Sequence, residues 1–268
     1  MSADPTSRWG DPGTEGEEIR AGSVLPAHRE PLRIRTSDGL TLVGEVALPV
    51  TGDVAGVLVC VHPLPTHGGM MDSHVLRKAS WRLPALAQIA VVRFNTRGTT
   101  STDGTSEGSF DEARGEGLDL AAAVAEVRRR GLPDPWLLGW SFGTDVVLKH
   151  GLDVGPQRGA LLLSPPLRFT TDAELGRWAE AESPLIALVP EHDDYLPPEQ
   201  ARPRFASVPT ARVVAVEGAK HLWVGEKYVR IVLDEIVERI NPAAAPLPTV
   251  WTAEQAAAQG AMERWSDL

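Results

Sequence analysis

A single cysteine, Cys60, stands in the chain, so no internal disulfide can staple it. Cys60 lies within Val57-Leu58-Val59-Cys60-Val61, where a buried, inert thiol is expected. No Cys/His spacing of the zinc type occurs, so neither a metal nor a cofactor is expected. Long apolar runs are also missing; nothing approaches the roughly 20 residues of a membrane span. The first residues lack a basic start followed by an apolar core. No signal peptide is therefore expected, and a soluble cytoplasmic protein is the default. Positive charge is in deficit, with 26 Lys and Arg against 36 Asp and Glu and a net charge of −10. Such a chain gains nothing from a phosphate backbone, so nucleic acid is not an expected partner. Anionic membrane surfaces are disfavoured for the same reason.

What is present is ordinary globular composition, 43% hydrophobic and 23% charged, enough for a sizeable core. Residues 1–30 are rich in Gly, Pro, Asp, Glu and Ser and are expected to form a flexible tail, with Trp9 in it. Residues 31–241 should carry the domain. Residues 242–268 read as a Pro/Ala linker and a last amphipathic helix over Thr252–Trp265. No internal repeat and no second domain are visible.

From Leu32 to Leu48 two strand-like runs flank Asp38-Gly39, a tight hairpin turn. Ala55–Val61 is a continuous β-branched apolar stretch, as expected of a strand buried on both faces. Helix is expected from about Ser73, bent or ended by Pro84. Ile89–Phe94 reads as a strand. Glu112–Arg130 reads as a helix whose packed face is Leu118, Ala121, Ala122, Ala125 and Val127. Further strands are expected at Ala160–Leu163, Leu185–Val189 and Ala211–Val216, and helices near Asp172–Ala181 and Val229–Ile240. Alternating strands and helices specify a mostly parallel sheet with helices on both faces. Ligands in such sheets bind beyond the carboxyl ends of the strands. The connection over residues 164–183 is too short for a large cap.

The chemistry centres on Trp136-Leu137-Leu138-Gly139-Trp140-Ser141-Phe142-Gly143-Thr144. This is an apolar run, a Gly-x-Ser-x-Gly turn and the start of a helix. Such a turn holds its serine in a strained conformation at the top of the sheet, and its glycines let strand and helix approach closely. A serine hydroxyl is a weak nucleophile until a base takes its proton, and the base needs a third group to orient it. Ser141 is followed in the chain by the acids of Glu191-His192-Asp193-Asp194 and then by His221. That order suits a serine on a strand–turn–helix elbow. His221 follows a strand and precedes a helix, so it is the candidate base. His192 adjoins the acids and reads as a rim residue. Asp193, Asp194 and Glu191 are not separated by these considerations. For the oxyanion, Phe142 N–H is one expected donor. In His62-Pro63-Leu64-Pro65 the prolines have no N–H, which leaves Leu64 as the other.

Gly139-Trp140-Ser141-Phe142-Gly143, Arg93-Phe94-Asn95-Thr96-Arg97-Gly98 and His62-Pro63-Leu64-Pro65 with Gly68-Gly69-Met70 together resemble the α/β-hydrolases. The last is similar to the His-Pro-x-Pro-x-x-Gly-Gly loop of small bacterial serine hydrolases that lack a big lid. The resemblance covers about Leu32 to Ile240. It implies an α/β-hydrolase fold, a mostly parallel central sheet with helices on both faces and no large cap domain. In the wider family the acid often stands in Gly-x-x-Asp-x-x-x-Pro. Pro190-Glu191-His192-Asp193-Asp194-Tyr195-Leu196-Pro197 fits that pattern with proline in place of glycine, which favours Asp193. The resulting expectation is a serine hydrolase of carboxylesterase type acting on a small-molecule acyl substrate, with Ser141, Asp193 and His221 as catalytic residues. Leu64 and Phe142 form the oxyanion hole, and His62, Leu167, Phe169 and Trp178 line the substrate pocket, with Leu175 a further candidate. A peptidase, a thioesterase or a non-catalytic binding protein on the same fold are the alternatives.

Overall fold

The computed structural model describes residues 16–267. Residues 1–15, which hold Trp9 and half of the expected tail, lie outside the described residues.

Eight strands form one sheet. They are β1 (His28–Arg35), β2 (Thr41–Leu48), β3 (Gly56–Val61), β4 (Ile89–Phe94), β5 (Trp136–Trp140), β6 (Gly159–Leu163), β7 (Leu185–His192) and β8 (Ala211–Lys220). Their order across the sheet is β8-β7-β6-β5-β3-β4-β2-β1. β1 and β2 pair as a hairpin in which Arg35 faces Thr41, and Gly39 takes the left-handed φ of 92° at the turn. β2 is antiparallel to β4, and every later pairing is parallel.

Residue alternation along the strands builds two core layers. In β3, Val57, Val59 and Val61 face one layer, while Leu58 and Cys60 face the other. The first layer is covered by α2 (Glu116–Arg129), α3 (Phe142–His150), α4 (Asp172–Glu180) and α5 (Pro198–Phe205). The second is covered by α1 (His74–Ala87) and α6 (Glu226–Ile240). Each fully buried Val or Leu contributes about 1.5–3 kcal/mol. Burial also pushes the Cys60 thiol up to about 12, so it stays protonated and unreactive. Among the described residues no helix is long and apolar enough to cross a membrane.

The chain leaves β3 for β4 on one side and then returns to β5 on the other. The strand order therefore switches at β3 and β5, where such sheets open a crevice at their carboxyl ends. The loops after β3 and β5 carry Leu64 and Ser141.

Four expectations are corrected. Helix α1 is not ended by Pro84 but runs through it to Ala87, with Leu83, Ala85 and Ala87 buried; Gln88, at φ 52°, ends it. Helix α2 packs through Leu120, Ala123, Val124 and Val127, with Ala121 and Ala122 partly buried against the same layer; of the expected face, Leu118 is 39% exposed and Ala125 is exposed. The face is rotated because it also buries Asp119, whose carboxylate takes the Arg97 guanidinium at 2.8 Å and the Arg97 N–H at 2.8 Å. Residues 16–30 are structured rather than a free tail. Gly16–Glu18 pairs with Val250–Thr252, Ser23–Val24 pairs with Glu263–Arg264, and Leu25 is buried. Their partners lie more than 200 residues away, where local composition gives no hint of them. Those same pairings break up the expected last helix, leaving α7 (Ala253–Gln259) with a Thr252–Gln255 capping box and an end at Gly260.

Candidate active site

Ser141 joins β5 to α3 at φ 51° and ψ −117°, a conformation that side chains rarely adopt. A non-glycine residue held there stores about 1–3 kcal/mol, which the surrounding packing must offset. The packing is visible at the two glycines. A Cβ on Gly139 would stand 2.4 Å from the Gly143 carbonyl oxygen, and one on Gly143 would stand 2.2 Å from that of Val61. Only hydrogen at both positions lets α3 start against the end of β3. The Ser141 N–H is held by the Leu163 carbonyl at 2.8 Å.

His221 follows β8. Its Nε2 lies 2.8 Å from Ser141 Oγ, and its Nδ1 lies 2.9 Å from Asp193 Oδ2. Asp193 Oδ1 accepts the N–H groups of Tyr195 and Leu196 at 2.9 and 3.2 Å. Burial pushes the Asp193 carboxyl up, but His221 and these two donors outweigh it and hold it below the ordinary carboxylate range. An ionised Asp193 accepts Nδ1–H and leaves Nε2 as the acceptor facing the serine, so Ser141 Oγ–H donates to it. Asp194 is exposed, and Glu191 is occupied by the Gly218 N–H at 2.7 Å. His192 is exposed beside Glu191.

The loop after β3 is held from several sides. His62 is fully buried; its Nδ1–H donates to the Pro63 carbonyl at 2.7 Å, and its Nε2 accepts the Thr96 N–H at 3.0 Å. Both nitrogens are thereby assigned in a neutral ring, and burial lowers its pKa to about 4. In a trans peptide the N–H points opposite to the carbonyl. By gripping the Pro63 oxygen, His62 therefore aims the Leu64 N–H the other way. The Leu64 carbonyl is taken by His67 and Gly69 N–H, both at 3.0 Å. A Cβ on Gly69 would stand 2.1 Å from the Pro63 oxygen. Asn95 Oδ1 accepts the Met71 N–H at 2.9 Å, so the Arg93–Gly98 stretch at the end of β4 acts as a brace for this loop. Among the described residues no acceptor takes the Leu64 N–H. The Phe142 N–H, at the first position of α3, has no carbonyl of its own helix to reach. Both N–H groups belong to residues that line the cleft above Ser141.

That cleft has a volume of about 140 Å³ and is lined by Leu64, Phe142, Pro166, Phe169, Tyr195 and Leu222 around Ser141 and His221. Phe110, Phe142 and Phe169 meet edge to face, with ring centroids 5.2–6.5 Å apart. A larger hollow of about 560 Å³ by Gly56, Trp136 and Ile240 has no serine, cysteine or histidine in its lining.

Of the expected pocket residues, Phe169 lines the cleft; His62, Leu167, Leu175 and Trp178 do not. Leu167, Leu175 and Trp178 are buried in the core layer under α3 and α4, and the Trp178 indole donates to the Leu148 carbonyl at 2.9 Å. An apolar residue in a connecting segment does not reveal which side it turns to, so sequence could not separate core from pocket. Sequence reasoning missed Tyr195, 61% exposed, whose ring centroid lies 4.5 Å from that of His221. It also missed Ser164, directly after β6. Ser164 Oγ donates to the His221 carbonyl at 3.0 Å and accepts the Trp223 indole N–H at 2.9 Å. Its position at the carboxyl end of a strand, on the rim with Ser141, was the available signal.

No protein-family model and no curated protein sequence matches the chain. Solved structures do. An α/β serine hydrolase homologue from Coxiella burnetii is 25% identical over 78% of this chain and 96% of its own, with a TM-score of 0.65. An α/β serine hydrolase without lid from Xanthomonas campestris is 26% identical over 84% and 99%, with a TM-score of 0.64. An esterase from Pyrococcus furiosus shares the fold at 16% identity over 85% and 98%, with a TM-score of 0.67. The chain has the α/β-hydrolase fold, and among the described residues no large cap domain is inserted in it.

Proposed function

We propose that the protein is a serine hydrolase of carboxylesterase type, working through Ser141, His221 and Asp193 and an acyl-enzyme. One observation carries the reading: the unbroken hydrogen-bond chain from Ser141 Oγ through His221 to Asp193, at 2.8 and 2.9 Å, on the floor of an open cleft. The likeness to two serine hydrolase structures supports it.

Ser141 Oγ attacks the substrate carbonyl carbon while its proton passes to His221 Nε2. The carbonyl oxygen becomes an oxyanion held by the Leu64 and Phe142 N–H groups. Asp193 keeps Nδ1 protonated and stabilises the imidazolium that forms. Collapse of the intermediate breaks the bond to the leaving group, which takes the proton from His221. Water then gives a proton to His221 and attacks the acyl-enzyme, releasing the acid and restoring Ser141.

The test is turnover of chromogenic esters by the wild type and by Ser141→Ala. Loss of a triad member leaves the small residual rate of the oxyanion hole, so a fall on the order of 10⁴ to 10⁶ in kcat is expected. Equal rates in the two proteins would sink the reading.

A further inference from the structure

Arg168 lines the same cleft as Ser141 and His221. Its guanidinium has no acidic or hydrogen-bond partner among the described residues. It lies over the Phe169 ring, with Cζ 5.5 Å from the centroid, and Phe169 is itself part of the cleft wall. The backbone beneath it is fixed. Asp145, in the first turn of α3, accepts the Phe169 N–H at 3.1 Å and the Thr170 hydroxyl at 2.6 Å through Oδ1. Asp145 is wholly buried, and its second oxygen is closed off from solvent without a partner. Asp145 therefore anchors the segment from below and presents no accessible negative charge above it. Of the other titratable groups of the lining, His67 and His221 carry no negative charge in any state, and Tyr195 offers a phenol rather than a carboxylate. In a chain of net charge −10, the lining of this cleft holds an exposed arginine and no exposed carboxylate.

An unpaired guanidinium beside a reacting centre is suited to a planar anion, which it can grip with two parallel N–H groups. We infer that the substrate is an ester whose acyl group ends in a carboxylate, and that Arg168 binds this carboxylate at the cleft mouth while the acyl chain lies along Phe142 and Phe169. The inference rests on the hydrolase reading above and deepens it by naming the substrate class. Arg168 determines specificity here and takes no part in the proton transfers.

The probe pair is the 4-nitrophenyl monoester of adipic acid and its neutral counterpart, in which the terminal carboxylate is a primary amide. Both have the same length and leaving group, and the chain is long enough to keep the free carboxylate from attacking its own ester. The readout is the ratio of kcat/KM for the anionic over the neutral ester, in which any general loss of activity cancels. The wild type should favour the anion by about tenfold or more. The ratio should fall to about one in Arg168→Gln, drop below one in Arg168→Glu and be kept in part by Arg168→Lys. Raising ionic strength from 0.01 to 1 M shortens the screening length from about 30 to about 3 Å. The wild-type ratio should shrink accordingly, and the Arg168→Gln ratio should stay level. Hydrolysis of both esters with the same ratio in wild type and Arg168→Gln would overturn the carboxylate assignment alone. No nitrophenol from either ester, together with no labelling of Ser141 by a fluorophosphonate, would overturn the hydrolase reading and this inference with it.

Discussion

The indole nitrogen of Trp140 donates to the carbonyl oxygen of His221 at 3.3 Å, so the residue before the candidate nucleophile holds the loop of the candidate base. Ser164 Oγ donates to the same carbonyl, and His74 Nε2 donates to the next one, that of Leu222, at 2.7 Å. The register between Ser141 and His221 is thus set by three buried or half-buried donors.

Trp140→Phe removes one donor and keeps an aromatic ring. A net hydrogen bond is worth about 1 kcal/mol, so a fall of about fivefold in kcat with KM nearly unchanged is expected. Ser164→Ala also strands the buried Trp223 N–H and should cost about 1–3 kcal/mol of stability. Steady-state kinetics and urea unfolding of the two variants and their double check this. A double variant no worse than either single would show that the two donors do not share the task.

The acid is resolved by paired variants. Asp193→Asn keeps the shape but loses the carboxylate that fixes the His221 tautomer, and a loss of about 10⁴ in kcat is expected. Asp194→Asn, on the exposed side, should stay within a few-fold of wild type. Similar small losses from both would move the role to another carboxylate.

The site was legible because chemistry there follows chain order. A serine on a glycine-flanked turn and a histidine after a later strand gave Ser141 and His221, the resemblance to the Gly-x-x-Asp-x-x-x-Pro pattern favoured Asp193 among the three neighbouring acids, and the structure brings Ser141, His221 and Asp193 into contact. The two prolines of the β3 loop, which lack an N–H, pointed to Leu64 between them. Orientation was not legible. The packed face of α2 contains Asp119 and Glu116, which an apolar pattern cannot count, since their burial depends on Arg97 and on the Asp111 N–H. Leu167 looked like pocket lining because an irregular connection gives no periodicity, and Trp178 did so because the apolar face of a short helix does not tell whether it meets the core or the cleft. His62 looked like a pocket residue and is a buried clamp, since its partners Pro63 and Thr96 come from two different loops.

His62 makes acid stability a test of that clamp. Its folded pKa, about 4, lies below its ordinary value of 6.5. Between those values the unfolded chain binds a proton that the folded one refuses, so stability falls as pH falls through this window. The full effect is about 3 kcal/mol, and it is present above pH 6.5 and spent near pH 4. Urea midpoints of the wild type should drop over pH 6.5 to 4, and those of His62→Gln should drop less. Parallel curves would show that His62 is not the group responsible. His62→Gln should also lower kcat about tenfold or more, since it frees the peptide that aims the Leu64 N–H.

The cleft volume of about 140 Å³ is well under that of pockets for drug-sized ligands, roughly 300–1,000 Å³. Among neutral 4-nitrophenyl esters, kcat/KM should peak between acetate and butyrate and fall at least about tenfold by octanoate. No jump should occur above the micellar threshold of a substrate, because among the described residues no large cap stands over the cleft. Rates that climb steadily with chain length would show that the exposed Tyr195 and Leu222 of the cleft wall extend the site.

The most direct measurement is peptide mapping by mass spectrometry after treatment with a fluorophosphonate. Such a reagent phosphonylates a serine only where a base activates it and donors hold the oxyanion. The expected result is one adduct, on Ser141, absent from Ser141→Ala and strongly slowed in Asp193→Asn. An unlabelled wild type, or an adduct on another serine that persists in Ser141→Ala, would contradict the assignment of Ser141, His221 and Asp193 as a working triad.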